Sequence, residues 1–152
     1  TWFCPVARMI EISEEYHSGV VAVEKVAKED TGSYGIIEPR PKAKGIYEII
    51  SMVEKPEPAR APSQLGVVGR YVLPPEIFDI MEKTPAGKNQ EIQLTDALQL
   101  LLKQQELYAY EIEGTRYDTG TPLGWLKTNI SVMILNSLIN VCMKMMKLSV
   151  SV

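Results

Sequence analysis

At 152 residues the chain is long enough for one domain with a real core and short for two. Its 45% hydrophobic and 23% charged residues are those of an ordinary folded protein. A net charge of -3 without a Lys/Arg run argues against a nucleic-acid partner.

Two cysteines, Cys4 and Cys142, stand at opposite ends with no CxxC spacing. A disulfide framework or zinc site is not expected, and a reducing compartment is. The opening "TWFCPVARMIEI" has no signal-peptide pattern and no initiator Met, so it reads as a sequence entered in the middle. The most apolar stretch, 130–148, is interrupted by Asn136, Asn140, Lys144 and Lys147, which argues against a membrane span. A cytoplasmic protein without membrane or nucleic-acid partners is the expectation.

In chain order, Val6, Met9, Ile10 and Ser13 recur at helical spacing, predicting a helix over 5–17 that Gly19 ends. "VVAVEKV" (20–26) is an apolar β-branched run suited to a strand covered on both faces. "YGIIE" (34–38) and "GIYEIISMVEK" (45–55) read as further strands, separated by the polar turn material "PRPKAKG". Residues 56–63 hold three prolines and form a loop. "LGVVGRYVL" (65–73) reads as a buried strand, and "PPEIFDIMEKT" (74–84) opens a helix with proline. Residues 91–105 carry the stripe Leu94, Leu98, Leu101, Leu102. "ELYAYEIEG" (106–114) alternates like a half-exposed strand, and 122–147 is helical. Alternating helices and strands predict an α/β layered domain with a mixed sheet, whose strand-ending loops face the ligand crevice.

Chemistry concentrates where "EIISMVEKP" stops. Glu54 and Lys55 close a strand just before Pro56. They are either a solvated charged pair or a site in which Lys55 meets a phosphate and Glu54 accepts sugar hydroxyls. Neighbouring strand residues point to opposite faces, so both reach one ligand only where the strand ends or bulges. Asp118 in "YDTG" is either an Asp turn or a Mg²⁺ ligand, since Mg²⁺ takes one or two carboxylates with phosphate and water. Gly35 either packs closely or lets backbone approach a ligand. Glu91 and Asp96 flank a helix start, where capping is the ordinary role. His17 is the only histidine, and there is no nucleophile elbow, GxGxxG or P-loop.

Several motifs in order carry a resemblance: "VEKP", "APSQLGVVGRYVLPPEIFDIMEKTPAGKNQEIQLTDAL", "YAYEIEGTRYDTG" and "LGWLK", with "RMIEISEEYHSGVVAVEKV" and "SYGII" upstream. From about Ala7 to Lys127 the chain resembles the C-terminal portion of bacterial UTP–glucose-1-phosphate uridylyltransferase (UDP-glucose pyrophosphorylase). The resemblance implies a Rossmann-like mixed sheet of the nucleotide-diphospho-sugar transferase type, C-terminal part only, ending in a long helix. The chain would be a single partial domain over 1–152, with a helical segment over 122–152. It implies that Lys55 binds phosphate, Glu54 holds glucose hydroxyls, Gly35 lays backbone against the sugar, and Glu91 sits near the sugar. Asp118 would be one of two carboxylates on Mg²⁺.

The implied reaction forms UDP-glucose and pyrophosphate from UTP and glucose 1-phosphate, in a homo-oligomeric enzyme. An ionised sugar phosphate needs no general base, which suits the scarcity of histidine. The family's nucleotide loop, UTP-reading residues and first metal Asp would precede Thr1, so the isolated chain is expected to be inactive. The alternatives are a non-catalytic α/β binding or oligomerisation module, and a related transferase using another nucleotide or sugar.

Overall fold

The structure, a computed structural model, describes residues 4–85, 92–114, 116, 117 and 119–149, with backbone alone at 136 and 138–149. The chain divides into two compact units, Thr1–Glu113 and Gly114–Val152.

In the first unit, α1 (Pro5–Tyr16) leads into β1 (Gly19–Lys25), and a 3₁₀ turn at Lys28–Ser33 precedes the hairpin of β2 (Gly35–Ala43) and β3 (Ile46–Glu54). β4 (Leu65–Val72), α2 (Glu76–Lys83), α3 (Leu94–Leu101) and β5 (Leu107–Glu111) follow. The strands close in the order β1-β4-β2-β3-β5. The sheet is mixed: β1 runs parallel to β5, and the other pairings are antiparallel.

Strand alternation explains the core. Successive side chains point to opposite faces, so β1 sends Val21 and Val23 one way and Val20 and Ala22 the other. The first pair joins Ile37, Leu98, Leu101, Leu107 and Ala109 in a cluster completed by Ile77 and Ile80 of α2. The second pair meets Met9 and Ile12 of α1, together with Tyr108 and Tyr110. Helices therefore cover the sheet on both faces.

That covering corrects the half-exposed reading of 106–114. The alternation in β5 is real, yet Leu107 through Tyr110 are all buried. One face carries Leu107 and Ala109 into the α3 cluster. The other packs its tyrosines beneath α1, with Tyr16 and Tyr108 ring centroids 4.5 Å apart.

Two further expectations change. β2 continues through "PRPKA", and the turn shrinks to Lys44–Gly45. The β2–β3 register shifts at Glu38/Pro39 and Pro41/Ala43, while β4 pairs with β2 only at Ile36↔Gly66. The prolines thus lie where β2 has one neighbour and the ladder is bulged, as a residue without an N–H requires. β4 is buried only at its start. Between Val21↔Tyr71 and Val23↔Val67 it spends three residues against one of β1, and Gly69 takes φ +73° there. Helix α1 ends earlier than Gly19, with His17 in the left-handed conformation (φ 49°) at its C-terminus.

In the second unit, α4 (Pro122–Ser149) starts with proline at its first position. Thr121 Oγ1 accepts from the Gly124 N–H at 3.0 Å, capping the helix. No helix among the described residues is long and apolar enough to cross a membrane.

The buried tyrosines set an alkaline limit on stability. Burial, then the hydrogen bond from the Tyr108 hydroxyl to Glu106 (2.8 Å), pushes the Tyr108 phenol up to about 12. An unfolded tyrosine titrates near ~10. Tyr108 therefore contributes its full stability below that pH and loses it as pH rises towards about 12. Urea midpoints should fall between about pH 9.5 and 11, and less steeply in Tyr108→Phe. Equal slopes for the two proteins would remove Tyr108 as the cause.

Candidate functional site

The site is assembled where the β2–β3 hairpin begins and ends. Gly35, the first residue of β2, pairs with Glu54, the last of β3. The next residue, Lys55, leaves the strand with φ 46°, a left-handed conformation uncommon for a side chain with Cβ. Its backbone N–H still donates to the Tyr34 carbonyl at 3.0 Å. This turn resolves the alternation problem. Lys55 Nζ comes round to 3.6 Å from Glu54 Oε1, so the adjacent acid and base face each other at the strand end. The lysine side chain is 60% exposed and the glutamate side chain 25%, leaving an open cation above a partly sheltered carboxylate.

Helix α3 supplies the second wall. Thr95, on its first turn and buried, donates its hydroxyl to Glu54 Oε2 at 2.7 Å. One helical turn on, Gln99 Oε1 accepts from the Met52 N–H at 2.7 Å. β5 pairs with β3 only over Ile46–Glu48, and Gln99 takes up a backbone donor on the stretch beyond. A methyl group built on Gly35 would stand 3.1 Å from Thr95 Oγ1 and 3.2 Å from Glu54 Oε2. The absence of a side chain at 35 is what lets the three residues close on one another.

Tyr71 of β4 also belongs to this neighbourhood. Burial raises its phenol pKa, and the negative charge of Glu54 raises it further.

Of the five site residues read from the sequence, Gly35, Glu54 and Lys55 come together. Glu91 and Asp118 lie outside the described residues. Asp96 lies in the first turn of α3, where a carboxylate suits the helix dipole, while the N-cap residue is Gln93, without a side-chain capping bond among the described residues. Sequence reasoning missed Thr95 and Tyr71. Thr95 was visible only as part of "EIQLTDAL", and no periodicity marks either residue. Among the described residues no group of three or more His, Cys, Asp or Glu converges.

Residues 5–132 match the family model described as nucleotidyl transferase. The chain belongs to the nucleotidyl transferase family. It is 48% identical over 124 residues to a UTP–glucose-1-phosphate uridylyltransferase of Streptococcus pyogenes, an alignment covering 81% of this chain and 41% of that protein. It therefore spans well under half the length of the curated relatives it matches. Among solved structures it is similar to UDP-glucose pyrophosphorylase complexed with UDP-glucose, with TM-score 0.79 and 42% identity, covering 83% of this chain and 48% of that one. It is also similar to UTP-bound UGPase from Acinetobacter baumannii, with TM-score 0.74 and 35% identity, covering 88% and 49%.

These findings support the Rossmann-like nucleotidyltransferase fold and correct one part of the sequence reading. The expected C-terminal portion of a uridylyltransferase, with the C-terminal part only of its sheet, is not what the family model matches. The matched region is the family's N-terminal catalytic domain. The order of motifs along a resemblance does not establish which domain they belong to, and the misplacement arose there.

Proposed function

We propose that this nucleotidyl transferase chain carries the sugar-phosphate site of a cytoplasmic uridylyltransferase that joins UTP and glucose 1-phosphate. The observation that supports it best is the convergence of Gly35, Glu54 and Lys55 at one strand end. The names of the relatives, a UTP–glucose-1-phosphate uridylyltransferase and a UDP-glucose pyrophosphorylase, point the same way.

In this reading Lys55 offers a compact, exposed positive charge to the sugar's phosphate. Glu54 has one oxygen held by Thr95 and the other beside Lys55, and a carboxylate oxygen has lone pairs left for sugar hydroxyls. Gly35 presents backbone alone, so a sugar ring can lie close. A phosphate monoester oxygen of glucose 1-phosphate attacks the α-phosphorus of UTP. The new P–O bond forms as the bond to the β-phosphate's bridging oxygen breaks, and pyrophosphate leaves. The nucleophile is ionised at neutral pH, so alignment and charge neutralisation are the protein's work. Mg²⁺, when bound, would neutralise phosphate charge, and Asp118 is the carboxylate of this chain proposed to meet it. The homo-oligomer belongs to the same proposal. Leu123, Trp125, Ile130 and Met133 expose apolar surface on α4 that could serve it.

Calorimetry on the chain with glucose 1-phosphate, inorganic phosphate and glucose tests the reading. Binding of glucose 1-phosphate that exceeds both others is expected, because only it engages Lys55 and Glu54 together. Equal affinity for phosphate and glucose 1-phosphate would overturn it.

A further inference from the structure

Helix α3 meets β3 through two polar bonds with matched spacing. Thr95 and Gln99 are four residues apart, about 6.0 Å along a helix axis. Their partners, Glu54 and Met52, are two residues apart, about 6.6 Å along a strand. The two hydrogen bonds, both 2.7 Å, can therefore form together without bending either element. They do different jobs. Gln99 satisfies a backbone donor and registers the helix. Thr95 reaches a carboxylate that the sheet has no structural need for, since Glu54 is the last residue of β3 and keeps a quarter of its side chain exposed.

We propose that Thr95 is the positioning residue of the sugar site: its hydroxyl fixes the orientation in which Glu54 receives the sugar hydroxyls. This rests on the sugar-phosphate reading above. Left to itself, the Glu54 carboxylate would swing towards the ammonium 3.6 Å away and offer both oxygens to Lys55. Thr95 holds Oε2 back, so Lys55 keeps its charge available for phosphate while Glu54 remains an acceptor for hydroxyls. Gly35 fits the same design. A methyl there would press on both ends of the Thr95–Glu54 bond, at 3.1 and 3.2 Å, and would push them apart. Thr95 is buried, so water does not readily replace its hydroxyl when it is removed.

The test compares Thr95→Val, which keeps shape and loses the hydroxyl, with Thr95→Ser, which keeps the hydroxyl. In the unliganded chain the ¹³Cδ resonance of Glu54 should move in Thr95→Val and stay near its wild-type position in Thr95→Ser. Affinity for glucose 1-phosphate should fall about tenfold in Thr95→Val, the loss of one hydrogen bond to a charged group. Affinity for inorganic phosphate, which engages Lys55 alone, should hold, and Thr95→Ser should restore sugar-phosphate binding. A Thr95→Val protein with an unmoved Glu54 resonance overturns the proposal. So does an equal loss of both ligands with a lowered Tm, which would mark a structural role only. If wild-type protein binds no sugar phosphate, the functional reading fails separately, and the Glu54 resonance decides whether Thr95 holds the carboxylate.

Discussion

Replacing Leu98 by alanine should lower the stability of the chain by about 2–5 kcal/mol. Leu98 sits on the inward stripe of α3 and is fully buried in the cluster formed with Val21, Val23, Ile37, Leu107 and Ala109. Truncation removes apolar burial and leaves a cavity among residues of three sheet strands, β1, β2 and β5, which relax only partly. Domains of this size are stable by about 5–15 kcal/mol, so the loss is a large fraction of the whole. Urea unfolding should show a lower midpoint with an unchanged slope. Phe78→Ala is the contrast: Phe78 is the bulkier side chain but 71% exposed on α2, and its loss should change stability by no more than about 0.5 kcal/mol. Equal effects of the two substitutions would contradict this account of the core.

The second expected result separates binding from stability at Lys55. Lysine at φ 46° carries strain of about 1–2 kcal/mol that glycine does not. Glycine adds freedom to the unfolded chain, costing about 0.4–1 kcal/mol in return. The ion pair with Glu54 involves a mostly exposed lysine and contributes about 0–1 kcal/mol. The three effects nearly offset, so Lys55→Gly should unfold within about 1 kcal/mol of wild type. Sugar-phosphate affinity should nevertheless drop roughly ten- to a hundredfold, the loss of a charge-assisted contact to phosphate. A strained residue retained where glycine would do is what a functional constraint produces. Wild-type affinity in Lys55→Gly would detach this lysine from the phosphate.

What the sequence by itself determined is local. Val6, Met9, Ile10 and Ser13 announce α1 by helical spacing, although the face it buries carries Met9 and Ile12 while Val6 and Ile10 stay exposed. The β-branched run of β1 announces a strand covered on both sides, and Glu54–Lys55 before Pro56 marks a strand end able to present charge. Each signal lies within a few residues, where backbone geometry alone sets which side chains share a face. The tertiary structure decided the rest. The alternation of β5 looked half-exposed because sequence shows two faces and not what covers the second, which is α1. β2 runs through Pro39 and Pro41 because β4 pairs with it only at Ile36 and leaves that stretch with β3 as its one neighbour, a fact about neighbours. Lys55 turns beside Glu54 through one left-handed residue, which no lysine advertises. Thr95 reaches Glu54 from 41 residues away. A hydrogen bond across that separation depends on how α3 packs on β3, and packing is settled by the shared core rather than by either segment.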